Sequence, residues 1–192
     1  MEDIGEVTVL FGSNGRIVGE MVAGRTVEQK FLAMGPCLES VRLKVGTYKR
    51  KNIGNMLEVS IIDDAGDMVA SKTVNPRLFS DFMHNEVRIG CPVEMMKQYT
   101  LLIRSDSGVP GRCVTFVCGG GRGSDPFFVD GKQVPGMELF CNIVFSNHKF
   151  TEEIERPPTS LSYADDVPSS DVVVPIRKKR KRKDDSDDNQ QV

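Results

Sequence analysis

The feature that most constrains this chain is the period of its apolar residues. In Val41-Arg42-Leu43-Lys44-Val45 apolar and charged residues alternate one by one, and an extended strand is the conformation that places every second side chain on one face. Leu57-Glu58-Val59-Ser60-Ile61, Val87-Arg88-Ile89 and the set Tyr99, Leu101, Ile103 repeat the pattern, each with one dry and one wet face. Val114 to Cys118 and Leu139 to Phe145 are apolar almost throughout, as central strands of a two-sheet structure are. Turn formers separate the runs. Asp63-Asp64-Ala65-Gly66-Asp67 and Ser105-Asp106-Ser107-Gly108-Val109-Pro110-Gly111 read as hairpin loops, and Asp130-Gly131-Lys132 and Val134-Pro135-Gly136 as further corners. No amphipathic helix intervenes, and Pro76 to Met83 has room for one short helical turn at most. The expected fold class is all-β: an antiparallel β-sandwich of the jelly-roll type.

Three segments follow from this reading. Residues 1–18 form an N-terminal segment, in which Val7-Thr8-Val9-Leu10-Phe11 reads as a strand that either joins the sandwich or projects from it. Residues 19–148 hold the sandwich, and residues 149–192 form an extended arm with a charged tail. Beyond Thr151 the period stops, and Pro157, Pro158, Pro168 and Pro175 punctuate a polar stretch. Such a stretch buries too little apolar surface to offset its ordering entropy. Val172, Val173 and Val174 stand out there as a β-branched patch that either adds a strand to a neighbouring sheet edge or is simply exposed.

Charge is distributed unevenly. The 25 basic and 27 acidic residues nearly cancel, yet Arg177, Lys178, Lys179, Arg180, Lys181, Arg182 and Lys183 form one basic block followed by Asp184, Asp185, Asp187 and Asp188. With block and aspartates set aside, about five negative charges remain on the rest of the chain. Any nucleic-acid binding is therefore expected through the basic tail alone, with the aspartates screening it at a Debye length of about 8 Å. A solvated tail, or docking of that block on an acidic protein surface, ranks ahead of nucleic acid, and a nuclear-import-like run comes third.

The chemistry-bearing residues are sparse. His84 and His148 have no partners at a motif spacing, and no Gly-x-Ser-x-Gly elbow occurs. Gly119-Gly120-Gly121-Arg122-Gly123 lacks the Gly-Lys-Ser/Thr ending of a phosphate loop and reads as a flexible loop or a place where another backbone comes close. Asp63, Asp64 and Asp67 lack the order of a calcium loop. Cys37, Cys91, Cys113, Cys118 and Cys141 are odd in number and show no zinc-ligand spacing, which predicts reduced core thiols and a reducing compartment. No apolar run approaches the ~20 residues of a membrane helix, and the opening Glu2-Asp3 lacks the layout of a secretory signal. No enzyme, cofactor, metal or membrane partner is expected.

One stretch resembles a known family. Gly19-Glu20, Val27 to Phe31, Leu38 to Val41, Tyr99 to Leu101 with Arg104-Ser105, and Gly111 to Thr115 follow in order around the sharpest element, Thr47-Tyr48-Lys49-Arg50-Lys51-Asn52-Ile53-Gly54. The set is similar to the jelly-roll accessory domain found beside bacterial O-antigen-type glycosyltransferases and free-standing in bacteriophage virion proteins, whose signature is Thr-Tyr-x-Arg-x-Asn-x-Gly. The resemblance covers about residues 19 to 120. It implies a structural or decorating protein of a virion, made in the host cytoplasm, oligomeric in the assembly, and docking on other virion proteins through sandwich and arms. The alternative it implies is a carbohydrate-binding module for bacterial surface polysaccharide. Physically, the signature reads as a corner: Tyr48 and Arg50 share a face, Arg50 offers its donor fork to carbonyls or a carboxylate, and Asn52 takes left-handed backbone before Gly54. As a ligand site it would use Lys49, Arg50 and Asn52. The chain contains no tryptophan, which counts against an aromatic sugar platform. The expected partner-docking residues are Val172 to Val174 and Arg177 to Lys183.

Overall fold

The structure, a computed structural model, describes residues 7–121 and 125–147. The chain divides into units 1–152 and 153–192. The second lies outside the described residues, and with it the Val172 to Val174 patch and the block Arg177 to Lys183.

Four nested antiparallel pairs build the body. Strand β2 (Ser13–Glu20) pairs with β9 (Thr115–Gly120), β3 (Arg25–Leu32) with β8 (Gln98–Ser105), β4 (Cys37–Gly46) with β7 (Met83–Pro92), and β5 (Leu57–Ile62) with β6 (Met68–Val74). Successive pairs alternate between two sheets, joined by β9 to β4 and by β5 to β8. A long hairpin rolled up in this way is a jelly roll. After β9 the chain adds β10 (Phe127–Val129) and β11 (Lys132–Gln133) beside β3. Strand β12 (Met137–Leu139) then pairs with β9, and β13 (Cys141–Ser146) with β4. Strand β1 (Val7–Phe11) lies along β13, so the strand left undecided by sequence is part of the larger sheet.

The β12–β13 segment explains an opening in that sheet. Strands β4 and β9 pair only at Val45 with Phe116 and Gly46 with Thr115. Beyond that point Phe140 bridges them: its N–H donates to the Val117 carbonyl at 2.8 Å and its carbonyl accepts from Lys44 N–H at 3.1 Å. A buried side chain closes the gap to the other sheet. Gln29 is fully enclosed; its Oε1 accepts from Leu139 N–H at 2.8 Å and its Nε2 donates to the Lys30 and Asp125 carbonyls. An enclosed amide with both ends bonded specifies how two layers meet.

The alternating runs face as their period demands. Val41, Leu43 and Val45 are buried while Arg42 and Lys44 reach toward solvent; on β5 Leu57, Val59 and Ile61 are buried likewise, but Ser60 on the opposite face is buried too, bonded to Ser71. Phe31, Phe116, Phe127 and Phe145 fill the interior from both sheets. All five cysteines are free and buried, and burial raises every thiol pKa, that of Cys91 to about 11.

The turns divide into two kinds. Asp130 and Gly131, at φ 52° and 71°, form the two-residue turn of the β10–β11 hairpin, which needs positive φ at both positions. In the β5–β6 hairpin, Asp63 Oδ1 accepts from Ala65 N–H and Asp67 N–H at 3.0 and 2.9 Å. Its oxygen is a turn acceptor. The segment Ser105 to Gly111 is not a hairpin loop: it carries the chain from β8 in one sheet to β9 in the other. A glycine-rich turn read from sequence states that the chain reverses, not which sheet it rejoins. Pro76–Leu78 forms a single 3-10 turn capped by Asn75.

Candidate functional site

The signature segment leaves β4 at Gly46 and turns sharply. Asp81 organises the turn, its Oδ1 accepting from Thr47 N–H at 2.7 Å and Tyr48 N–H at 2.8 Å. Thr47 adds its hydroxyl to Lys49 N–H and its carbonyl to Arg50 N–H. With those N–H groups fixed, Tyr48 and Lys49 both adopt left-handed backbone at φ 54°. Asn52 was expected there and is not among the positive-φ residues. The anchoring carboxylate lies more than 30 residues downstream, where local preference cannot foresee it. Burial opposes ionisation of Asp81, but the N–H bonds from Thr47 and Tyr48 prevail and hold its carboxyl below the usual range.

Arg50 turns inward from the same corner. One terminal nitrogen donates to Glu20 Oε1 and to the Cys113 carbonyl, the latter at 2.7 Å. Glu20 also accepts from Gly111 N–H at 2.6 Å; that bond comes first, and with Arg50 it holds the Glu20 carboxyl below its ordinary pKa against burial. Gly54 N–H donates to the Arg112 carbonyl at 3.1 Å, and Arg77 Nε to the Ile53 carbonyl. The segment thus stitches the end of β2 to two loops. Of the three candidate ligand residues, Arg50 is spent on these bonds, while Lys49 and Asn52 are exposed on the turn.

The outer side of the corner carries the Tyr48 ring of the signature together with Phe82, which the sequence reading did not single out. Tyr48 and Phe82 meet edge to face, centroids 5.8 Å apart, and remain 40% and 41% exposed. The Arg50 guanidinium lies over the Tyr48 ring at 4.7 Å. Phe82, at φ 53°, bonds its N–H to the Val45 carbonyl at 2.7 Å. Its ring covers Gly46, where a Cβ would stand 3.0 Å from the ring. Two residues back on β4, Lys44 places its Nζ 4.6 Å from the Phe140 ring centre, and His84 packs beside that ring at 5.4 Å. The usable signal was an aromatic directly after Ser80-Asp81 in a turn, which a search for tryptophan passes over.

Strand β1 borders an apolar surface of a different kind. Leu10 is 71% exposed, and with Met34 and Leu32 it lines a groove of about 700 Å³ along β1. Met96, 63% exposed, is tied by its N–H to the Ala33 carbonyl beside Met34. Near that groove Glu138 is buried and accepts from Gly12 N–H at 3.1 Å, and a Cβ on Gly121 would collide with its carboxyl carbon. Gly119 and Gly120 belong to β9, paired with β12. His148 and residues 122–124 lie outside the described residues.

Together these features define an antiparallel jelly-roll β-sandwich with exposed aromatic groups at the corner after β4 and exposed apolar groups along β1. No protein-family model matches the chain, and a search of curated proteins finds no match.

Proposed function

We propose that the chain is a non-catalytic structural or decorating protein of a bacteriophage virion, docking on neighbouring virion proteins through its sandwich and its C-terminal arm. The resemblance around Thr47 to Gly54 supplies the virion context. The observation that carries the docking role is the pair of exposed apolar side chains that line one groove, Leu10 and Met34. Contiguous exposed apolar groups of this kind mark interaction surfaces more often than idle surface. Strand β1 adds to this, because among the described residues it pairs on one edge only, with β13. The arm supplies the second contact in this reading, with Val172 to Val174 as an added strand and Arg177 to Lys183 as the charged part. The test is co-sedimentation with particles assembled in a host that expresses the chain. The full chain should pellet with the particles, and a chain ending at residue 150 should stay in the supernatant while keeping its β circular-dichroism spectrum. Retention of the shortened chain on the particles refutes the arm as anchor.

A second reading, carbohydrate binding, is favoured by the Tyr48 and Phe82 rings. Exposed aromatic faces beside polar groups suit sugars, which present apolar C–H faces and polar rims. Lys49 and Asn52 would serve as rim contacts, with Arg50 holding the corner. In this reading binding to a polysaccharide array survives removal of the arm and is lost on Arg50→Ala.

A further inference from the structure

We propose that Tyr48 and Phe82 form the floor of a site for a uronic-acid-bearing glycan, with Lys44 and Lys49 placed to meet its carboxylate. The inference names the ligand class for the carbohydrate reading and rests on that reading.

Backbone strain is the first support. Five non-glycine residues have positive φ among the described residues, and three of them, Tyr48, Lys49 and Phe82, adjoin one another here. A side-chain-bearing residue gives up about 1–2 kcal/mol in left-handed backbone, and glycine or asparagine would hold these turns more cheaply. Burial recovers little, since both rings stay about two-fifths exposed. The chain therefore holds two aromatic rings toward solvent against its own backbone preference, a pattern that clusters at binding sites.

The floor is also shaped. Gly46 lies on the outer face of β4, and a Cβ there would come within 3.0 Å of both the Phe82 ring and Thr115 Cγ2. Its missing side chain lets the ring lie against the strand, giving an open ledge suited to a polymer passing across it. Charge then selects among glycans. Lys44 lies over the Phe140 ring and Lys49 faces the Asp81 carboxylate, which stays ionised while it accepts from Thr47 and Tyr48, and Arg50 is paired with Glu20. Set against Asp81 and Glu20, the three cations Lys44, Lys49 and Arg50 leave one positive charge over at the ledge of a body that is negative overall, which favours a ligand with a localised carboxylate. The rings stand at 87° to one another, so two successive nucleobases could not stack on them as they do on single-strand platforms.

Calorimetric titration of the full chain with trigalacturonate, maltotriose and oligothymidylate tests the proposal. Binding of trigalacturonate alone is expected, with affinity reduced at least about tenfold by Phe82→Asn or Tyr48→Asn. Lys49→Ala should weaken binding and flatten its salt dependence. Phe82→Asn should keep Tm within about 3 °C, because asparagine accepts left-handed backbone, so lost binding there is not lost folding. Equal affinity for maltotriose overturns the acidic class while leaving the carbohydrate reading intact. Absence of binding to either sugar overturns both. Unchanged affinity in Phe82→Asn, or oligothymidylate binding lost in that variant, overturns the site.

Discussion

Asp81 does for the corner what a capping residue does for a helix. One carboxylate oxygen takes two consecutive N–H groups, and the chain can then enter two left-handed residues. Asp81→Ala leaves both donors without that acceptor and should lower stability by about 2 kcal/mol, read as a shift in urea midpoint at constant slope. The pH dependence has a definite sign. Glu20, Glu58, Asp81 and Glu86 all hold folded pKa values below their ordinary ones. Each therefore contributes stability that is complete above its unfolded pKa and fades as pH falls through the lower folded value. Stability from these groups should be level between pH 7 and 5 and decline from about pH 4 downward, and Asp81→Asn should shrink that decline. The thiols offer a separate check: an aromatic disulfide reagent should label none of the five cysteines in the native chain and all five in urea. Arg50 was legible as a donor to carbonyls and a carboxylate because its chemistry allows little else. That a single nitrogen makes both bonds, to partners 30 and 63 residues away, was not legible.

At the scale of elements, periodicity announced the strands and stayed silent about their partners. Val41 to Val45 and Leu57 to Ile61 showed which side chains go inward, and the structure buries those residues. Alternation says which face is dry, however, not which strand lies alongside. For that reason β1 could not be placed, and the Ser105 to Gly111 turn was assigned to a hairpin it does not form. Strand β1 is now open to a direct test. Phe11 is buried opposite Cys141, so Phe11→Ala should lower the unfolding free energy by about 3 kcal/mol. Removing residues 1–12 should go further, baring the β13 edge and making the chain associate in light scattering as its concentration rises. Gln29 is the element-scale counterpart of Asp81. Gln29→Leu strands Leu139 N–H inside the body and should lower stability by about 2 kcal/mol in the same urea assay.

For the molecule as a whole, the body and the arm are separable claims. A chain ending at residue 150 should melt cooperatively within about 3 °C of the full chain in calorimetry; a broad or lowered transition would mean that the arm contributes to the fold. The nested pairing of the body carries a consequence for its synthesis. Of the four nested pairs only β5 and β6 are close neighbours along the sequence; the outermost pair brings together Ile17 and Val117, about a hundred positions apart. A ribosome delivers residues in order, so β2, β3 and β4 must each emerge and wait, apolar faces bare, until their mates follow in reverse sequence. Closure then runs from the middle outward, and β1 and β2, made first, are among the last strands to find shelter. Such long-separated pairings make for slow folding, and a nascent chain of this design has reason to recruit a chaperone before its last strand leaves the exit tunnel.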